Sequence, residues 1–332
     1  MLAVSFVSRL DRLQRRHPAV GMPIGVVYKY IDDSGGYLAA LLTYYAFVSL
    51  FPLLLIFTTV LGIVLVGHAD LQHRIEASAL SQFPVIGKDL GQPHQIGGGA
   101  TGLVVGIVGA LYGGLGVAQA AQYAMNTAWT VPRNERPDPF VGRARGLLLL
   151  TTVALAVLGT TALSVLGTSG AGSLGVVLRV CAVVLSVIVN TTVFLFVFRL
   201  APARRLSYRE VAPGAVVAGV SWQLLQTFGV EYVGQVKHAS ATNGVFAVVL
   251  GLLAFLYLTS VITMFCVELN VVRVDRLYPR SLLTPFTDNV RLTAGDERAY
   301  SSQAEAQRAK GFEEIEVTFD GEPARQPPDE AG

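Results

Sequence analysis

Charge is scarce in this chain: 14% of its 332 residues are Asp, Glu, Lys or Arg, while 52% are hydrophobic. That balance excludes a disordered chain and places it in the membrane class, since soluble domains carry about a quarter of their residues charged. The deficit is also localised. No charged residue occurs in residues 36–68, 90–132, 146–178, 180–198, 211–230 or 239–267. A helix crossing a hydrocarbon core about 30 Å thick needs about 20 apolar residues, so each stretch can hold one span.

Cysteine is nearly absent. Cys181 and Cys266 fall in different predicted spans near opposite membrane faces, beyond the roughly 7 Å between Cα atoms that a bridge tolerates, so no disulfide framework is expected. Catalytic motifs are missing too. There is no phosphate-binding loop, dinucleotide fingerprint, nucleophile elbow or Cys-x-x-Cys pair. A nuclease would need clustered His and acidic ligands. His17 stands alone near the start, and His68, His73, His94 and His238 fall in predicted outer loops, where solvation accounts for them. Neither enzymatic activity, a metal nor a cofactor is expected. The basic residues are sorted by membrane side rather than gathered into a nucleic-acid groove.

What is present reads as an all-α polytopic membrane protein, a bundle of six transmembrane helices preceded by an amphipathic helix. Leu2, Phe6, Leu10 and Leu13 recur at helical spacing with Arg9, Arg12, Arg15 and Arg16 on other faces, as in an interfacial helix or one packed on the bundle. The expected organisation is a cytoplasmic amino-terminal region at 1–36, a six-span domain at 37–272 and a polar, acidic, partly disordered cytoplasmic tail at 273–332. Residues after Glu322 cannot bury enough apolar surface to order themselves. A short helix is expected around Ser302–Lys310 and a strand at Ile315–Phe319.

The spans are expected at about Leu38–Gly67, within Gly99–Trp129, then Gly146–Gly167, Val176–Leu200, Val211–Gln235 and Gly244–Val272. Pro52 lies mid-span, where it removes a backbone hydrogen bond and favours a kink. Gly102/Gly106 and Gly109/Gly113 form GxxxG pairs that permit close helix approach, read first as packing within one chain; an oligomer has no further support. The inner segments hold twenty-one Lys and Arg residues and the outer ones three. That asymmetry places both termini in the cytoplasm.

Tyr44 to Leu54 of span one (YYAFVSLFPLL), Pro213 to Gln223 opening span five (PGAVVAGVSWQ), and Leu256-Tyr257-Leu258 with Glu268-Leu269-Asn270 in span six resemble the YihY/BrkB family over about residues 26–270. Cys266 and Asn243-Gly244 depart from the family's more usual Gly and Tyr-Gly. The resemblance implies a six-span inner-membrane protein from a family once labelled a ribonuclease and a serum-resistance factor, some members of which are linked to export of lipid-linked material.

Ionisable groups within spans are costly and mark functional sites. Arg179 and Glu231 fall at similar depth near the outer ends of spans four and five and could pair. Glu268 lies near the inner end of span six, where an inner-loop Arg could meet it. Asn190, Gln223 and Gln226, with Tyr44, Tyr45 and Ser49, could line a polar path or simply bond between helices. The leading function is a transporter or lipid translocase for an amphipathic or lipid-linked envelope substrate, with membrane lipids as partners and no nucleic acid. The alternative is a scaffold recruiting partners through its tail, and a membrane ribonuclease is a distant third.

The Lys and Arg asymmetry makes a topological prediction. Reporters after residue 332 and within the Arg133–Arg145 loop read cytoplasmic, and one near Gln92 reads external; a tail labelled by an impermeant reagent in intact cells reverses the orientation.

Overall fold

The computed structural model describes the backbone of residues 11, 13–64, 99–167, 174–236, 244–284 and 290–319. Side chains are described there except at 51–64, 99–103, 105–107, 110–111, 156–167, 174–179, 229–236 and 244–248. A short helix, α1 (Pro18–Asp32), leads into six long ones: α2 (Gly35–Val64), α3 (Gly99–Ala128), α4 (Pro139–Gly167), α5 (Leu174–Leu200), α6 (Tyr208–Val236) and α7 (Gly244–Val274). A final short helix, α8 (Ala294–Glu305), lies in the tail. The long helices run 27 to 31 residues, or about 40–46 Å at 1.5 Å per residue, enough to cross a bilayer. Each begins and ends close to an expected span, and α2 runs unbroken through Pro52.

The long helices pack in chain order, α2 on α3, α3 on α4 and onward to α7, which closes the ring against α2. Small residues set the closest approaches. A Cβ on Gly113 of α3 would sit 2.7 Å from the Cα of Ser49 on α2, and one on Gly116 would strike the Tyr45 ring. A Cβ on Gly219 of α6 would sit 2.8 Å from the Thr191 backbone nitrogen of α5. The second GxxxG pair thus contributes Gly113 to packing within the chain, while the surroundings of Gly102 and Gly106 lie outside the described residues.

Among the described residues two stretches, Val180–Leu200 and Val249–Val274, are long and apolar enough to cross a membrane. The most apolar part of the first contains no fully buried residue, unlike the core helix of a soluble protein. Val183, Val184 and Ile188 of α5, Val216, Val220 and Leu224 of α6 and Leu147 and Leu148 of α4 point outward. The interior holds Met125, Trp129, Phe198, Val211, Met264 and Val271, all nearly or fully buried.

The amino-terminal region contains α1, which the sequence reading did not foresee as a separate helix. His17 is extended (φ −122°, ψ 102°), as a residue before proline prefers, and Pro18 opens the helix without wasting a donor. Helix α1 lies on α7, where a Cβ at Gly25 would come 3.1 Å from Val272 Cγ1 and 3.0 Å from the Leu277 carbonyl. Of the expected amphipathic helix, residues 1–10 and 12 lie outside the described residues; Gln14 is buried, and Leu13, Arg15 and Arg16 are exposed.

The tail helix is Ala294–Glu305 rather than Ser302–Lys310. Thr293 caps it, its hydroxyl accepting from the Asp296 N–H (3.1 Å) while the Asp296 carboxylate accepts from the Thr293 N–H (2.9 Å). Residues 315–319 are irregular, not a strand, and the end of the tail from residue 320 lies outside the described residues.

Backbone proximity at Gly113 cannot be relieved by a rotamer change, so Gly113→Ala should lower stability by about 1–3 kcal/mol. Gly142→Ala on α4, whose Cβ would meet nothing nearer than 3.9 Å, should be neutral or gain up to about 1 kcal/mol of helix propensity. Thermal melts in detergent check both; equal losses refute the close-packing account.

Candidate functional site

Polar side chains collect at the end of the bundle where α3, α5 and α7 finish. The first cluster follows from Pro213, the sixth residue of α6, which lacks the N–H that would bond the Arg209 carbonyl. Arg273 of α7 donates to that carbonyl (2.6 Å) and to that of Glu210 (3.2 Å). Asn270, one turn earlier, accepts from the Gly214 N–H (2.8 Å) and donates to the Val211 carbonyl (3.1 Å). Gly214 must lack a Cβ, which would collide with the Cys266 carbonyl and the Asn270 amide. The Pro213-Gly214 motif and the Glu268-Leu269-Asn270 motif are therefore two halves of one contact.

The second cluster is anchored by Arg280, fully buried just past α7. Its Nε donates to Asp296 (2.7 Å) and its Nη2 to Asp32 (2.8 Å), and the guanidinium lies 5.6 Å from the Tyr28 ring centre and 5.4 Å from that of Tyr300. Burial alone would lower the Arg280 pKa; Asp32 and Asp296 outweigh it and raise the value further. Tyr28 donates to the Leu282 carbonyl (2.8 Å) and Gln303 to the Asp32 carbonyl (2.9 Å). Further on, Arg308 pairs with Glu135 (2.6 Å) in the loop between α3 and α4. Residues 277–284 and 290–308 are thus fastened to α1 and the bundle.

The third cluster joins α1 to α7. Lys29 and Asp33, one helical turn apart and both buried, form an ion pair. Beside them the Glu268 carboxyl is fully buried, and among the described residues neither oxygen has a hydrogen-bond donor. Burial raises the Asp33 pKa, the neighbouring Lys29 only partly opposing it. Among the described residues the cation beside Glu268 is Lys29 of α1 rather than an inner-loop Arg, and it is bonded to Asp33.

A cavity of about 660 Å³ opens at the same end. Trp129, Val131, Pro132 and Leu277 form its apolar part, and Arg204, Arg205, Arg298, Glu135, Asp275 and Glu305 its charged part. Arg204 grips Asp275 with two bonds (3.0 and 2.9 Å) and lies 5.0 Å from the Trp129 ring centre. Arg205 has no ion pair among the described residues.

The residues singled out from sequence do not converge on one place. Ser49 is buried against Gly113 and donates to the Ala46 carbonyl (3.0 Å), and Tyr45 packs over Gly116. Tyr44 is 61% exposed on the outer face. Asn190, Gln223 and Gln226 are half-buried on the neighbouring helices α5 and α6, with the Gln223 carbonyl oxygen unpartnered. Arg179 lies on α5 and Glu231 on α6, but their side chains, like that of Pro52, lie outside the described residues. Lys29, Asp33, Arg280, Asn270 and Arg273 carry the polar end, and sequence reading assigned none of them a site. The Lys29/Asp33 spacing and Asn270 in its quoted motif were the available signals.

Long helices with apolar outer faces and polar contacts inside define a helical membrane protein. The family model described as virulence factor BrkB matches residues 26–288, and the chain belongs to that family. It is 22% identical over 284 residues to the inner membrane protein YhjD of Escherichia coli K12, covering 80% of this chain and 84% of that one. It is 27% identical over 257 residues to a Bacillus subtilis 168 protein labelled ribonuclease-like, YfkH, covering 73% of this chain and 91% of its relative. No solved structure matches the chain. Among the described residues no three His, Cys, Asp or Glu side chains are placed to hold a metal ion.

Removing Arg280 leaves the buried Asp296 carboxylate its hydrogen bonds from Ser281 and Thr293 but no counter-charge, so Arg280→Ala should cost about 3–5 kcal/mol, as loss of one partner of a buried pair does. The tail should also become open to protease between α7 and α8. Limited proteolysis with a thermal melt measures both, and an unchanged melt would show that the guanidinium holds nothing.

Proposed function

We propose that this chain is a six-span inner-membrane transporter or lipid translocase for an amphipathic or lipid-linked envelope substrate, with both termini in the cytoplasm. The observation that carries the reading is the cavity at the polar end of the bundle. Its volume suits a headgroup rather than a whole lipid, and it sets an aromatic and aliphatic wall beside arginines and carboxylates. Cargo with an apolar part and a charged part matches such a lining. Arg205, exposed and unpaired among the described residues, is the group best placed to greet an incoming anionic headgroup. The arginine-rich loops at this end favour the cytoplasmic face, and the printed name of the Escherichia coli relative supports the inner membrane.

A scaffold acting through its tail would need that tail free. The described part of that tail, residues 277–284 and 290–308, instead bonds to α1 and to the loop between α3 and α4, which favours transport.

The purified chain in liposomes should move a labelled polyprenyl-phosphate-linked sugar between leaflets without other proteins. Arg205→Glu should slow it about tenfold, equivalent to about 1.4 kcal/mol, with an unchanged melt. Movement only in the presence of a partner protein supports the scaffold, and equal rates for wild type and Arg205→Glu remove the cavity from the path.

A further inference from the structure

The contact between α1 and α7 contains a charge imbalance that its own residues do not resolve. Lys29 contributes one positive charge, and Asp33 and Glu268 bring two carboxyl groups, all three buried. Asp33 takes Lys29 as its partner. Glu268 finds no N–H or O–H donor among the described residues; α1 and α7 meet at Gly25 and Val272, which one turn further along brings its carboxyl beside Lys29 and Asp33. Two carboxylates repel, whereas a carboxylic acid and a carboxylate bond through the proton they share.

The remaining charged and titratable neighbours do not supply the missing positive charge. Asp32 is committed to Arg280. Tyr30 and Tyr257, on α1 and α7, are phenols, and the Tyr30 ring stacks on Phe265 at 4.2 Å. On the α6 side Asn270 is occupied by Gly214 and Val211. On the α2 side Thr43 bonds the Ala39 carbonyl and Ser260.

We propose that Asp33 and Glu268 form a proton-binding site, holding one proton between them at neutral pH beside the Lys29 ammonium and keeping α1 seated on α7. With the proton bound the cluster is neutral, and the carboxyl oxygens of both residues gain a partner. With the proton lost, one net negative charge remains on a buried cluster, and the electrostatic relief is separation of α1 from α7. Asp33 directly follows α1 and precedes Ser34, whose left-handed φ of 55° makes the turn into α2. Displacement of α1 therefore reaches the start of α2. If the transport reading holds, this site supplies the ion that such movement is coupled to; proton occupancy is measured directly and stands or falls separately.

The sign of the pH effect follows from Asp33. Its raised pKa means the folded chain binds a proton that the unfolded chain has released, so stability falls as pH rises from the ordinary aspartate range of about 4 through the raised value. The test is infrared spectroscopy of the full chain in lipid nanodiscs at neutral pH, with thermal melts across pH. The wild type should show a protonated carboxyl stretch that Glu268→Gln removes, and a melt that declines with rising pH where Glu268→Gln is flat. If Glu268→Gln fails to fold, Asp33→Asn serves for the spectrum and the wild-type pH series stands alone. A neutral-pH spectrum without that band, a band that survives both substitutions, or a wild-type melt independent of pH would each overturn the proposal.

Discussion

Lipid offers a backbone no hydrogen-bond partner, and the polar end of this bundle is organised by that constraint. Pro213 leaves the first turns of α6 with a carbonyl that its own helix cannot satisfy. Arg273 and Asn270, one turn apart on α7, meet the freed groups. That arrangement requires α7 to lie close to α6, which Gly214 permits. It also turns the next residues of α7 towards the entry of the tail. Helix α1, the Arg280 anchor and the cavity are all arranged around this helix end.

The same constraint separates inside from outside. Ser49, Gln122, Asn126 and Ser260 are buried and bonded within the ring, while valines, leucines and isoleucines face outward. Gln122 reaches the Gly142 carbonyl (3.0 Å), and Asn126 accepts from the Ala203 N–H (2.7 Å), so α3 is tied to α4 and to the loop before α6. Interhelical bonds of this kind contribute about 0.6 kcal/mol each. Against them Glu268 stands out, because the architecture satisfies its neighbours and leaves it bare.

The long helices were legible in the sequence because their signal is the absence of charge over 19 or more residues, which does not depend on tertiary context. Family membership was legible from the contiguous runs beginning at Tyr44 and Pro213. The polar end was much less so. Lys29 and Asp33 read as ordinary flanking charges, since sequence does not show that α1 folds back onto α7. Glu268 stands out in the sequence as an acid within a span, but the charged residues beside it, Lys29 and Asp33, lie about 240 residues away in the chain. Arg280 and Asp296 sit in a tail whose acidic composition resembles a solvated segment. The cap at Thr293 and Asp296 was readable in principle, yet the expected helix, Ser302–Lys310, begins eight residues after the observed one.

The central claim is a bundle whose apolar outer face lies in lipid and whose polar side chains are packed inside it. Accessibility of spin labels in nanodiscs, attached to single cysteines after Cys181 and Cys266 are replaced, tests it most directly. Labels at Val184 and Ile188 should collide readily with oxygen and rarely with a water-soluble nickel complex. A label at Ala215, fully buried beside Gly214, should be shielded from both. Nickel collisions at Val184 and Ile188 equal to those of a label in the Arg133–Arg145 loop would place α5 in water and contradict the account.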